Sequence, residues 1–104
     1  MIKIEIGDRR GEGSSLGNLG IAYEYLQKYR KAIDYQEQSL KISREVNARA
    51  GEGRSLSNLG NVYYRIGERK TACDLWNKAL TVFEAIESPD AKAVRKSLEE
   101  FCKS

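Results

Sequence analysis

The sequence predicts an all-α solenoid of antiparallel helix pairs, and three observations carry that expectation. The segment Gly-Glu-Gly-Ser-Ser-Leu-Gly-Asn-Leu-Gly at 11–20 returns as Gly-Glu-Gly-Arg-Ser-Leu-Ser-Asn-Leu-Gly at 51–60, an offset of 40 residues. A fixed period in that range marks a repeat array, in which each unit buries its apolar face against its neighbours. Within each unit the apolar residues fall at helical spacing, as in Leu16, Leu19, Tyr23 and Leu26. The C-terminal segment has a single apolar stripe opposite a strongly charged side, which suits a helix that closes an array.

Aligning 11–50 with 51–90 gives 12 identical positions, nine of them in the first thirteen. The first helix of each unit is therefore copied closely, and the second keeps mainly its small and apolar anchors. The organisation read from this is residues 1–10 as the tail of a preceding repeat helix and its linker, 11–50 as repeat one, 51–87 as repeat two and 88–104 as a capping helix. In residues 2–10, Ile2, Glu5 and Ile6 fall on Ile42, Glu45 and Val46 after the same shift, and Gly7 suits a helix C-terminus. The chain is expected to begin inside a helix of a longer array. A half-helix exposing Ile2, Ile4 and Ile6 gives it a route to self-association as a homo-oligomer.

Helix A of repeat one is expected over 12–27, with Gly20 in its packing face. Glycine inside a helix costs about 1 kcal/mol relative to alanine, so its return at Gly60 implies a close neighbour, for which Ala32 is the expected partner. Helix B follows over 30–46 with Ala32, Ile33, Gln36, Leu40 and Val46, and residues 47–50 form the linker. In repeat two, helix A spans 52–66, with Leu56, Leu59, Tyr63 and Ile66 on one face and Gly67 as its stop. Helix B, over 69–87, is the most apolar, with Trp76, Val82, Phe83 and Ile86, and its length is the expected source of the 40-residue period. Ser88 is the expected N-cap of the last helix, 91–103, with Pro89 in its first turn. Ala91, Val94, Leu98 and Phe101 form its stripe.

Composition narrows the function. The net charge is +3, from 18 basic and 15 acidic residues, and the signs are interspersed. That argues for solubility rather than a nucleic-acid partner, which would call for a basic stripe with stacking aromatics. No apolar run approaches the length a membrane helix needs, and the N-terminus lacks the apolar core of a signal peptide. Cys73 and Cys102 lie far apart without a CxxC pairing and are expected to be reduced, in a cytoplasmic protein. The chain has no histidine, so the commonest general base and metal ligand are missing.

Leu16, Leu19, Gly20, Tyr23 and Ala32, then Leu56, Leu59, Gly60, Tyr63, Ala72, Trp76 and Ala79, resemble the tetratricopeptide pattern. The resemblance covers about 2–87. The 40-residue length, with Gly-Asp-Arg-Arg-Gly-Glu-Gly and Asn-Leu-Gly, is similar to the longer subtype of spindle-orienting polarity adaptors, kinesin light chains and bacterial repeat arrays. It implies a right-handed superhelix and a protein-binding role. Two departures fall in repeat one, where Gln36 replaces the usual aromatic and Ser39 the usual alanine.

Catalytic patterns are missing. No Gly-rich loop leads into Lys-Ser/Thr, Gly11-Glu12-Gly13 follows no strand, and carboxylates are spread over solvated helix faces. Neither an enzyme nor a metal or cofactor site is expected. The candidate chemistry lies on helix A beside the packing stripe, which in solenoids of helix pairs lines the inner groove. There the candidates are Asn18, Ile21 and Tyr25, then Arg54, Asn58, Asn61, Tyr64 and Arg65. An asparagine amide both donates and accepts, enough to hold the N–H and C=O of an extended peptide. Asn18 and Asn58 recur one repeat apart, and the resemblance implies that asparagines at this place grip a peptide backbone. Arg54 and Arg65 present planar forks for a carboxylate, while Tyr25 and Tyr64 offer side-chain pockets. The expected function is a scaffold holding an extended or helical segment of a protein partner. The alternative is an end-fragment of a larger sensor or adaptor that caps or self-associates without a ligand.

Overall fold

A computed structural model describes residues 2–103, with side chains from Asp8 onward. Five helices follow one another: α1 (Ile2–Tyr25), α2 (Tyr29–Glu45), α3 (Arg49–Arg65), α4 (Arg69–Ala85) and α5 (Asp90–Phe101). Each packs on the next, and α1 also touches α3. The first helices of the two repeats thus lie side by side in one layer and α2 and α4 form the other. The slab is 50 × 31 × 17 Å, its thin dimension matching two helix layers. This is the all-α solenoid of helix pairs that the sequence predicts.

The period has a different origin from the expected one. Helices α2, α3 and α4 are each 17 residues long, so no long second helix stretches the repeat. Every turn between them takes three residues, so the backbone repeats every 20 residues and the helix pair every 40. The turns share one hydrogen-bond scheme. Lys28, Ala48, Glu68 and Ser88 N–H groups donate to the carbonyls of Tyr23, Ser43, Tyr63 and Phe83 at 2.8–2.9 Å, and the preceding residues donate to Glu24, Arg44, Tyr64 and Glu84. This double closure is the Schellman ending, which requires a left-handed residue. Gly67 meets that need at φ +89°, as expected, but Gln27, Asn47 and Glu87 adopt it with side chains, at φ +61°, +56° and +53°. A side chain in that region costs about 1 kcal/mol, least for asparagine. Gln27→Gly and Glu87→Gly are each expected to stabilise the fold by up to about 1 kcal/mol, read as a higher urea midpoint at unchanged slope. An unmoved or lowered midpoint would contradict the strain argument.

The N-terminal segment corrects one expectation. Residues 7–10 form no linker, because α1 runs unbroken from Ile2 to Tyr25. Side-chain bonds tie α1 at Arg9 and Arg10 to the end of α2: Arg9 pairs with Glu12 at 2.9 Å and with Glu45, and Arg10 donates to the Val46 carbonyl at 3.2 Å. The expected exposure of Ile2, Ile4 and Ile6 lies outside the described side chains.

The packing stripe of α1 is also only half realised. Leu19 is 42 % exposed and Leu26 64 %, whereas Leu59, the counterpart of Leu19, is 3 % exposed. Helix α3 packs against both α2 and α4, but α1 has only α2 and a short contact with α3. The apolar core accordingly sits in the second half of the molecule. Leu56, Ala72, Trp76, Ala79, Val82 and Phe83 join Ala91 and Val94 of α5 in one buried cluster. The tight spots are filled from the side: a Cβ on Gly60 would lie 2.5 Å from the Trp76 ring and one on Gly20 2.6 Å from the Gln36 amide. The close neighbour is therefore the side chain at 36 or 76, not Ala32 or Ala72.

The cap is fixed at both ends. Ser88 Oγ accepts the Asp90 N–H at 3.2 Å, with Pro89 already helical at φ −64°, so serine caps and proline starts the turn as expected. At the far end the expectation of free thiols fails: Cys73 and Cys102 form a disulfide with Cα atoms 5.9 Å apart. Antiparallel packing of α5 on α4 brings them together.

Candidate peptide-binding cleft

The side-by-side α1 and α3 enclose an open cleft with two joined lobes. The first, of about 590 Å³, is floored by Gln36, Ser39 and Ser43 and walled by Asn18, Arg54 and Asn58. The second, of about 320 Å³, is lined by Tyr25, Asn61 and Arg65. Ile21 and Asn58 border both lobes and make them continuous. Seven of the eight residues expected at the groove thus lie around one cleft.

Tyr64 is the exception. Its ring packs against Phe101 at 4.7 Å and Trp76 at 5.8 Å between centroids, drawn to the aromatic side chains that α4 and α5 present there. The other candidates differ in how far they are already engaged. Asn61 Oδ1 accepts the Trp76 indole N–H at 3.1 Å, so its amide nitrogen is what remains to offer. Arg65 pairs with Glu24 at 3.0 Å across the cleft. The Tyr29 hydroxyl and then the Glu24 carboxylate hold its guanidinium above its ordinary pKa, so it stays charged and provides no titrating switch. Arg54 has no ion-pair partner among the described residues. Tyr25 is largely exposed at the rim.

The cleft is electrostatically uneven. Arg10, Arg49 and Arg54 border the first lobe, and no carboxylate among the described residues lines it, although Arg49 pairs with Glu52 at 3.6 Å beside it; the second holds the neutralised Glu24–Arg65 pair. Sequence reasoning missed the floor. Gln36, Ser39 and Ser43 are buried where repeat two carries Trp76, Ala79 and Phe83. The departures at 36 and 39 were the signal for it, because a polar side chain at a core position requires a partner. No group of three or more metal-ligating side chains exists among the described residues, and none of their helices is long and apolar enough to cross a membrane.

Paired helices stacked at a fixed period around an open cleft define a helical-repeat solenoid. A tetratricopeptide repeat family model matches residues 13–49 and 53–90, both repeats and most of the chain. The protein belongs to the tetratricopeptide repeat family. Proteins built on these repeats generally mediate protein–protein interaction. No curated protein matches the chain.

Proposed function

We propose that the protein is a non-catalytic scaffold that holds a peptide segment of a protein partner in the cleft between α1 and α3. The observation that supports this most is the placement of Asn18 and Asn58 on neighbouring helices of one cleft, one repeat apart. Two amides in that relation can grip successive N–H and C=O groups of one extended backbone. The cleft gathers amides, hydroxyls and guanidiniums, groups that bind, with no nucleophile beside a base. Arg54 is the side chain offered to a carboxylate on the peptide, since Arg65 is already paired. The second lobe's Arg65 is already paired with Glu24, so no continuous run of unpaired cations follows the cleft, which favours a protein over a nucleic acid as partner.

Selection of peptides from a displayed random library tests this. Wild type is expected to enrich a peptide family that the Asn18→Ala/Asn58→Ala variant binds at least about tenfold more weakly, as loss of two hydrogen bonds predicts. Both proteins should be equally helical by circular dichroism. No enrichment, or binding that survives the double change, would overturn the reading.

A second reading, self-association without a ligand, draws support from exposed Leu19 on α1 and Leu26 in the turn that follows it. Sedimentation that does not change with concentration would remove it. As to compartment, the Cys73–Cys102 bridge favours an oxidising environment over the cytoplasm expected from the sequence.

A further inference from the structure

We propose that the lobe floored by Gln36 is a subsite for a neutral, hydrogen-bond-donating side chain of the bound peptide, above all the carboxamide of glutamine or asparagine. The inference rests on the peptide-binding reading and adds what the cleft selects.

The two repeats differ most where they should agree. Helix α4 presents Trp76, Ala79 and Phe83, and α2 presents Gln36, Ser39 and Ser43 at the same places. In repeat two the aromatics fill the space: a Cβ on Gly53 would lie 2.5 Å from the Phe83 ring, and one on Gly60 2.5 Å from Trp76. In repeat one the smaller side chains leave a cavity of about 590 Å³, within the range of ligand pockets. The missing aromatic volume is thus left as an open recess with a polar floor of Gln36, Ser39 and Ser43 and apolar walls that include Ile21, Ile42 and Val46.

The recess holds an unmet acceptor. Gln36 is 1 % exposed. Its Nε2 donates to the Gly17 carbonyl at 2.9 Å, the place in repeat one that the Ser57 carbonyl takes for the Trp76 indole. Its Oε1 is buried and receives no donor, which is rare for a buried carbonyl oxygen. The nearby hydroxyls do not supply one: Ser39 donates to the Gly13 carbonyl at 2.8 Å, and Ser55 donates to Ser39 at 3.2 Å. Gln36 lines the cavity, so a donor that satisfies it comes from that side, once a small turn of the buried amide brings Oε1 to the surface of the recess.

The surroundings select its chemistry. A lysine or arginine would bring a cation beside Arg10 and Arg54, which line the lobe and have no carboxylate partner among the described residues. An ionised aspartate or glutamate only accepts hydrogen bonds, and an aliphatic side chain offers none, so each leaves Gln36 Oε1 unmet. A carboxamide carries no charge, gives two N–H donors and has an oxygen that can accept from a serine hydroxyl.

Short blocked peptides, acetyl-Gly-Ala-X-Ala-Gly-amide with X as Gln, Glu, Leu or Lys, test this by nuclear magnetic resonance titration of the labelled protein. The Gln peptide is expected to shift resonances of Gln36, Ser43 and Asn58 and to bind about tenfold more tightly than the others, the worth of one satisfied buried hydrogen bond. In Gln36→Leu that preference should vanish, and in Ser43→Phe, which fills the recess as repeat two does, all four should weaken together; circular dichroism verifies both folds. Equal binding of all four to wild type, lost in Asn18→Ala/Asn58→Ala, would overturn the subsite and leave the peptide cleft standing. Shifts from none of them in α1 or α3 would overturn the peptide cleft itself, and the subsite with it.

Discussion

Trp76→Ala is expected to lower the stability of the protein by about 3–5 kcal/mol, the range for emptying a buried indole site. Trp76 is 2 % exposed and ties three helices together. Its edge fills the notch left by Gly60 on α3. Its N–H donates to Asn61 Oδ1 at 3.1 Å and the Ser57 carbonyl at 3.3 Å, and its rings lie against Tyr64 of α3 and Phe101 of α5. Removing it opens a cavity and strips Asn61 of its donor at once. The loss is read by urea unfolding monitored in the far ultraviolet, since the only tryptophan disappears with the change. A loss below about 1 kcal/mol would mean that α5 collapses into the gap. The glycines give a graded control. Gly60→Ala pushes a methyl group into the rigid indole and should cost about 1–3 kcal/mol. Gly20→Ala gains about 1 kcal/mol of helix propensity but pushes on a buried glutamine that must give up its bond to the Gly17 carbonyl to move, so it should cost less than Gly60→Ala without becoming stabilising.

Reducing the Cys73–Cys102 bridge is the other large effect. A cross-link with a sequence separation of 29 is worth roughly 3.5 kcal/mol in the loop-closure account. The loss should be local at first. Helix α5 has 12 residues, too few to persist alone, and beyond the bridge it is held by Ala91 and Val94, by the Phe101 ring against Trp76 and Tyr64, by the exposed Arg95–Glu84 pair and by the bonds from Arg69 to the carbonyls of Phe101 and Lys103. Hydrogen exchange of the α5 amides should therefore accelerate in a thiol reductant, or in Cys73→Ser/Cys102→Ser, before that of α3. Unchanged protection of α5 would show that packing alone retains the cap.

Much of this molecule was legible in its residues, and the exceptions have physical causes. The repeat at 11–20 and 51–60 announced the helix pairs because identical faces demand identical packing. It could not say that α1 packs on fewer helices than α3, so Leu19 and Leu59 look alike in sequence and differ in burial. The groove candidates on α1 and α3 fell into one cleft because spacing along a helix dictates which face they share; Tyr64 escaped because aromatics of α4 and α5 claim it. The floor was visible only as a departure at Gln36 and Ser39, whose meaning depends on what lies above them. The disulfide was hidden by a compartment rule, yet it was geometrically readable. Cys73 and Cys102 are equidistant from the turn at Glu87–Ser88, where an antiparallel hairpin must juxtapose them.

The bridge also makes the molecule mechanically lopsided. Under tension applied through its two ends, the chain between Cys73 and Cys102 is bypassed, because the load passes through the sulfur–sulfur bond instead of along the backbone. A span of 29 residues, which would otherwise extend by roughly 100 Å, stays out of the stretched length. The force falls on α1, whose contacts are nearly all with α2, and peeling proceeds from that side. Since α1 forms one wall of the cleft, a pull strong enough to lift it would open the groove and release a bound peptide while the stapled half remained folded.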